Sequence, residues 1–173
     1  YYPLYRFGFG LSYTSFEYSD LKIQEKPNGN VTVQATVKNI GSRAGDEVAQ
    51  LYVTDMYASV KTRVMELKDF DRIYLQPGES KTVSFELTPY DISLLNDHMD
   101  RVVEKGEFKI CVGGMSPDYV AKNEIKHSVG YSDNKKGVTG MLNYTHEFGA
   151  DFILSVSKVE ENLTKNQKTV WVL

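Results

Sequence analysis

Alternating apolar and polar residues are the clearest pattern along this chain, and the best example lies between residues 31 and 38. Val31, Val33 and Val37 alternate there with polar side chains, as in a strand that buries one face. The same kind of pattern predicts strands over residues 16–24, 47–54, 66–75, 83–87 and 107–113. Turn sequences such as Pro27-Asn28-Gly29-Asn30 separate these segments, because proline presets φ and Asn-Gly accepts positive φ.

The region between residues 88 and 113 gives two more local predictions. Thr88 is a good helix N-cap and Pro89 suits the first helical position, so we expect a short helix that ends near Leu95. Residues 99–105 and 107–113 are predicted to form a hairpin.

About seven short strands, with a turn roughly every eight to twelve residues, predict an all-β fold. The expected architecture is an immunoglobulin/fibronectin type III-like two-sheet antiparallel β-sandwich over residues 16–114. Residues 1–15 precede it as an arm. Residues 115–173 follow as a partly β C-terminal extension, in which residues 138–145 and 151–159 are predicted strands.

The N-terminal segment differs in composition from the rest. Seven of the first sixteen residues are aromatic, and they follow neither the alternation of a strand nor the stripe of a helix. Such a segment is expected to lie as an extended aromatic arm against a surface, with its rings in pockets. The residues expected to dock are Tyr2, Leu4, Tyr5, Phe7, Phe9, Leu11 and Tyr13.

The overall composition is that of a globular protein, since 41% of the 173 residues are apolar and 25% are charged. A net charge of −3 provides no basic surface, so we expect neither nucleic acid nor a membrane as a partner. The single cysteine, Cys111, excludes an internal disulfide. Because the chain begins without Met, we expect it to be a piece of a longer protein.

Few groups along the chain suggest chemistry. On a strand, Asp69 and Asp71 would share one face about 7 Å apart, near the separation of an inverting carboxylate pair. Charges on an exposed sheet face explain them better. Asp97, His98 and Asp100 form a polar loop whose spacing is poor for a metal. We therefore predict no catalytic residue, no metal site and no cofactor.

Several segments occur in a recognisable order between residues 3 and 114. They are Pro3-Leu4-Tyr5-Arg6-Phe7-Gly8-Phe9-Gly10-Leu11-Ser12-Tyr13-Thr14, Val37-Lys38-Asn39-Ile40-Gly41, Ala44-Gly45-Asp46-Glu47-Val48-Ala49-Gln50-Leu51-Tyr52-Val53, Glu66-Leu67-Lys68-Asp69-Phe70, Leu75-Gln76-Pro77-Gly78-Glu79-Ser80, Gly106-Glu107-Phe108 and Val112-Gly113-Gly114. Together they resemble the C-terminal fibronectin type III-like domain of glycoside hydrolase family 3 enzymes. The resemblance covers about two-thirds of the chain.

The resemblance implies a parent enzyme, most often a β-glucosidase or β-xylosidase, that pairs a catalytic (β/α)8 barrel with an α/β sandwich. No residue of this chain matches the catalytic motifs of either module. The resemblance therefore implies a non-catalytic structural module that stabilises the arrangement of the catalytic modules, with the arm packed against them. It also favours a periplasmic or extracellular location.

Two other functions fit the sequence. A carbohydrate-binding module would use exposed rings such as Tyr57, Tyr74, Tyr119 or Tyr131 to stack on a polysaccharide. An unrelated adhesion or interaction sandwich would share the fold alone. Two or three coplanar exposed rings would favour the first, and a parent without catalytic modules would favour the second.

Overall fold

The computed structural model describes residues 4–117 and 137–149, which form antiparallel strands joined by turns. The nine strands in these ranges are β1 (Phe16–Glu25), β2 (Val31–Asn39), β3 (Gly45–Asp55), β4 (Glu66–Leu75), β5 (Ser80–Leu87), β6 (Leu94–Leu95), β7 (Arg101–Val102), β8 (Gly106–Gly113) and β9 (Val138–Tyr144). The strands predicted from alternation form within three residues of their predicted bounds. Residues 151–159, another predicted strand, lie outside the described residues.

Two sheets make up the sandwich, and β6 and β7 form a separate two-stranded sheet. One sheet of the sandwich is three-stranded in the order β1-β2-β5, and the other is four-stranded in the order β4-β3-β8-β9. Every pairing in them is antiparallel. The two-sheet antiparallel β-sandwich expected from the sequence is therefore confirmed, and β9, which follows residue 114, pairs with β8 along its whole length.

The core lies between the two sheets. Val31, Val33 and Val37 of β2 are fully buried, as their alternation predicted, and they belong to one apolar cluster with Leu51 of β3 and Ile110 of β8. Burying one side chain of this size contributes about 1.5–3 kcal/mol. The four-stranded sheet has a second face, which is turned away from this core and is called here its outer face.

The region between residues 88 and 105 differs from its prediction in two ways. Thr88 does bond to Asp91, through its backbone N–H and its hydroxyl, but only two consecutive turns follow, because Leu94–Leu95 pairs with Arg101–Val102. The predicted helix over 88–95 is therefore wrong. The predicted hairpin of residues 99–105 with 107–113 is also wrong, since β8 pairs with β3 and β9 instead. No helix able to cross a membrane occurs within residues 4–117 and 137–149.

Candidate docking surface

The N-terminal arm begins with a tight turn that rests on the outer face of the four-stranded sheet. The Phe9 N–H donates to the Arg6 carbonyl at 3.0 Å, and Gly8 at the third turn position has a φ of 77°, which favours glycine. A Cβ on Gly8 would also overlap the side-chain amide of Gln50. The backbone of the turn therefore lies directly against Gln50.

Gln50 is a rigid support for this turn. It points to the outer face of β3 yet is only 6% exposed. Its Nε2 donates to the Gly114 carbonyl at 3.0 Å, and its Oε1 accepts from the Tyr52 hydroxyl at 2.5 Å. Close by, the Ser116 N–H donates to the Phe7 carbonyl at 2.8 Å. The turn is thus attached to the sandwich through its backbone.

A second attachment holds the other end of the arm, and its centre is the fully buried amide of Asn39. The Asn39 Oδ1 accepts from the Thr14 hydroxyl at 2.7 Å and from the Gly41 N–H at 3.0 Å. Its Nδ2 donates to the carbonyl oxygens of Arg43 at 2.8 Å and Leu75 at 3.1 Å. This network connects the arm to the loop that follows β2 and to the end of β4.

The large apolar side chains of the arm from Leu4 to Tyr13 are exposed. Their exposed fractions run from 41% for Phe9 to 95% for Leu11. The exposed docking candidates are Leu4, Tyr5, Phe7, Phe9, Leu11 and Tyr13. The Tyr5 and Phe9 rings stack on each other with centroids 5.2 Å apart. Tyr2, the remaining candidate, lies outside the described residues.

A core strand buries apolar side chains inside the domain, and the arm does the opposite. Its backbone is hydrogen-bonded to the domain, while the rings of its described residues are exposed. Contiguous exposed apolar surface of this kind marks an interaction site in soluble proteins. The geometry supports docking on another surface and offers no group for chemistry.

The polar residues considered from the sequence lie elsewhere. Asp69 and Asp71 are exposed on β4. In the 97–100 loop, the N–H groups of His98 and Asp100 both donate to Asn96 at 2.9 Å. Within the two described ranges, no three His, Cys, Asp or Glu side chains come together as a metal site.

Cys111 is buried on β8. Burial raises the pKa of its thiol above the ordinary value, while a hydrogen bond with Thr139 and the charge of Lys109 oppose the rise. A thiol in that environment is a poor nucleophile.

Sequence reasoning missed Asn39 and Gln50, the two amides that hold the arm. The signal was present, because each is a neutral amide within a strand segment that is otherwise rich in apolar residues. A buried amide needs partners for its donors and its acceptor. Such a residue therefore indicates that an irregular segment nearby supplies its hydrogen-bond partners, but it does not identify that segment.

Comparisons with known proteins agree with the fold. A family model described as fibronectin type III-like domain matches residues 47–116. The thermostable β-glucosidase B of Acetivibrio thermocellus is 44% identical over 128 residues, which are 72% of this chain and 17% of that protein. A β-xylosidase of Formosa agariphila is 50% identical over 117 residues, which are 66% of this chain and 16% of that protein.

The same relationship holds among solved structures. β-Glucosidase 3B from Thermotoga neapolitana matches with a TM-score of 0.69 and 34% identity, over 86% of this chain and 18% of that chain. The chain thus spans 16–18% of the length of these relatives. It belongs to the fibronectin type III-like domains found in glycoside hydrolase family 3 enzymes.

Proposed function

We propose that this chain is a non-catalytic module of a family 3 glycoside hydrolase, and that its arm braces the catalytic modules against the sandwich. The observation that supports this proposal is the arm itself, whose backbone is bonded to the domain while its rings are exposed. A second surface placed over the arm would bury these rings. Each side chain buried there would contribute about 1.5–3 kcal/mol to the association.

The activity of the whole protein follows from its relatives only as a proposal. The matched proteins are called β-glucosidases and β-xylosidases, so we infer that the complete polypeptide hydrolyses β-glycosidic bonds of glucosides or xylosides. The residues of this chain would act through position and stability, since none of them is assigned to the reacting atoms. The partners of the arm would be the catalytic barrel and the α/β sandwich module of that polypeptide.

The test uses the polypeptide expressed from the complete reading frame that encodes this chain. We expect it to hydrolyse an aryl β-glucoside or β-xyloside. Replacing Phe7 and Phe9 together with Ser should lower its midpoint of thermal inactivation by several degrees, because two buried aromatic side chains are worth about 3–6 kcal/mol.

The matched control is Tyr57→Ser. Tyr57 is 68% exposed and Phe7 is 67% exposed, but Tyr57 lies outside the arm, so its replacement should leave the midpoint unchanged. A complete polypeptide without β-glycosidase activity would contradict the assigned parent. An equal midpoint for the double variant and the control would contradict docking through the arm.

Sugar binding is a second candidate, favoured by the outer face of β4. Phe70 and Tyr74 are exposed there, and between them Arg72 donates to Asp46 at 3.0 Å, which is a combination of rings and polar groups suited to a polysaccharide. Tyr57 is also exposed but lies outside β4. Tyr119 and Tyr131 lie outside the described residues.

The test of sugar binding is electrophoresis of the chain in native gels that contain β-glucan or xylan. Retardation that is lost in the double variant Phe70→Ala with Tyr74→Ala would establish this function.

A further inference from the structure

A second cluster outside the arm joins the end of β9 to the turn between β1 and β2. The Tyr144 hydroxyl is buried and donates to the Gly29 carbonyl at 2.7 Å. The Thr145 N–H and hydroxyl each donate to the Glu25 carboxylate at 3.0 Å. Beyond them, Phe148 exchanges two backbone hydrogen bonds with Val103, at 2.9 and 3.1 Å.

His146 lies at the centre of this cluster, and both of its ring nitrogens meet acceptors. Nδ1 is in contact with the Glu25 carboxylate, and Nε2 is 3.1 Å from the Pro27 carbonyl oxygen. A neutral imidazole has a single N–H and can donate to only one of them. The imidazolium has two N–H groups and satisfies both, so the geometry selects the charged ring.

Ring contacts also position His146. His146 stacks on Phe148 with centroids 5.7 Å apart and planes 8° from parallel, and it also contacts the Tyr144 ring at 5.8 Å. Gly29 has a φ of 83°, and a Cβ there would lie 2.6 Å from the Phe148 ring. The turn and the segment 144–148 therefore fit closely.

Among the charged groups of residues 4–117 and 137–149, the Glu25 carboxylate is the one in contact with the His146 ring. Lys26 is paired with Glu86 at 3.0 Å, and Lys105 is paired with Glu147 at 3.4 Å. The Glu25 side chain is only 14% exposed and the His146 side chain 31%.

In the folded chain the pKa of His146 is raised and the pKa of Glu25 is lowered. The hydrogen bond that His146 donates to the Glu25 carboxylate raises the pKa of His146 above its ordinary 6.5, although desolvation opposes the rise. Burial would raise the pKa of Glu25, but hydrogen bonds from His146 and Thr145 lower it below its ordinary 4.5. Folding thus favours the charged form of both groups.

We propose that His146 is a proton-operated latch, which as an imidazolium fastens segment 144–148 to the β1–β2 turn and as a neutral ring gives up one of its two hydrogen bonds. The latch is independent of the arm and of the proposed function. The latch determines how firmly the residues directly after β9 are attached to the sandwich.

The pH window of the latch follows from linkage. A raised histidine pKa gives stability that is complete below 6.5 and is lost as pH rises through the folded value. A lowered carboxyl pKa gives stability that is complete above 4.5 and is lost as pH falls through the folded value. The latch is therefore fully closed between 4.5 and 6.5, and it opens as pH rises through the folded pKa of His146 or falls through the folded pKa of Glu25.

The first test is a titration of His146 by NMR in the isotope-labelled 173-residue chain. We expect both ring nitrogens to carry protons at about pH 6 and the midpoint to lie above 6.5. Glu25→Gln should shift the midpoint downward, while His98→Gln, at an exposed loop histidine, should leave it unchanged. A neutral His146 ring at that pH, or an equal midpoint in Glu25→Gln, would overturn the proposal.

The second test separates the latch from simple packing. Amide hydrogen exchange at Thr145 and Phe148 is compared between His146→Gln and the unmodified chain at each pH. The ratio of rates should be several-fold at about pH 5.5 and should approach one above the His146 midpoint. A ratio that does not change with pH would assign His146 a packing role only and would contradict the latch. If His146→Gln does not fold, the titration of Glu25→Gln still decides.

Discussion

Replacing Asn39 with Ala is expected to lower the free energy of unfolding by about 3 kcal/mol, because buried polar groups that lose a partner cost about 1–3 kcal/mol each. The fully buried Asn39 amide makes four hydrogen bonds. Alanine would deprive the carbonyl oxygens of Arg43 and Leu75 of this donor. It would also remove the acceptor of Thr14, so the arm would loosen at its second attachment.

Urea denaturation measures this effect, and Thr14→Val provides the control. The valine has nearly the shape of threonine but loses the one bond from the arm to Asn39, so it should cost only about 1 kcal/mol. If Asn39→Ala cost no more than Thr14→Val, the amide would not be the centre of the attachment.

Tyr18→Phe is expected to cost about 2 kcal/mol, because a hydrogen bond to a charged group contributes about 1.5–3 kcal/mol. The Tyr18 hydroxyl donates to Glu47 Oε1 at 2.9 Å inside the sandwich, where Glu47 is only 2% exposed. Phenylalanine keeps the ring and removes only this donor. The loss is measured by the same urea denaturation.

The Tyr18–Glu47 pair also makes the free energy of unfolding depend on pH. Burial raises the pKa of Tyr18 far above its ordinary 10.0, and the nearby charge of Glu47 adds to the rise. The folded chain then keeps a proton that the unfolded chain loses above pH 10.0, so stability should fall as pH rises beyond that value. Tyr18→Phe should remove this part of the slope, and Tyr57→Phe, at an exposed ring, should retain it. An unchanged slope in Tyr18→Phe would contradict the assignment.

The strands could be predicted because their cause is local. Val31, Val33 and Val37 alternate along β2, and a strand with that pattern has only one face to bury. The same holds for β8, where Phe108 and Ile110 of the predicted strand 107–113 are buried. Periodicity and turn residues were sufficient for the class of fold.

The errors arose where local signals competed with pairing at a distance. Thr88 and Asp91 form the hydrogen bonds of a helix start, yet only two turns form before Leu94 pairs with Val102. Capping residues favour a helix, but strand pairing with residues further along the chain can outweigh them. The predicted hairpin failed for the same reason, because β8 is the central neighbour of β3 and β9.

The candidate sites show a further limit of sequence reasoning. An aromatic segment indicates that its rings need a surface, but composition does not say whether that surface is the domain's own core. His146 meets Glu25 across 121 positions of sequence. No periodicity connects residues so far apart, and the two meet because β9 pairs with β8 and also packs against β1 of the other sheet.

The central claim is that the arm docks on the other modules of a longer glycosidase, and hydroxyl-radical footprinting tests it most directly. Oxidation of the aromatic side chains is compared between the isolated 173-residue chain and the polypeptide from the complete reading frame. Tyr5, Phe7, Phe9 and Tyr13 should react readily in the isolated chain and become protected in the longer polypeptide, while Tyr57 should react equally in both. Equal oxidation of the arm in the two samples would contradict the account.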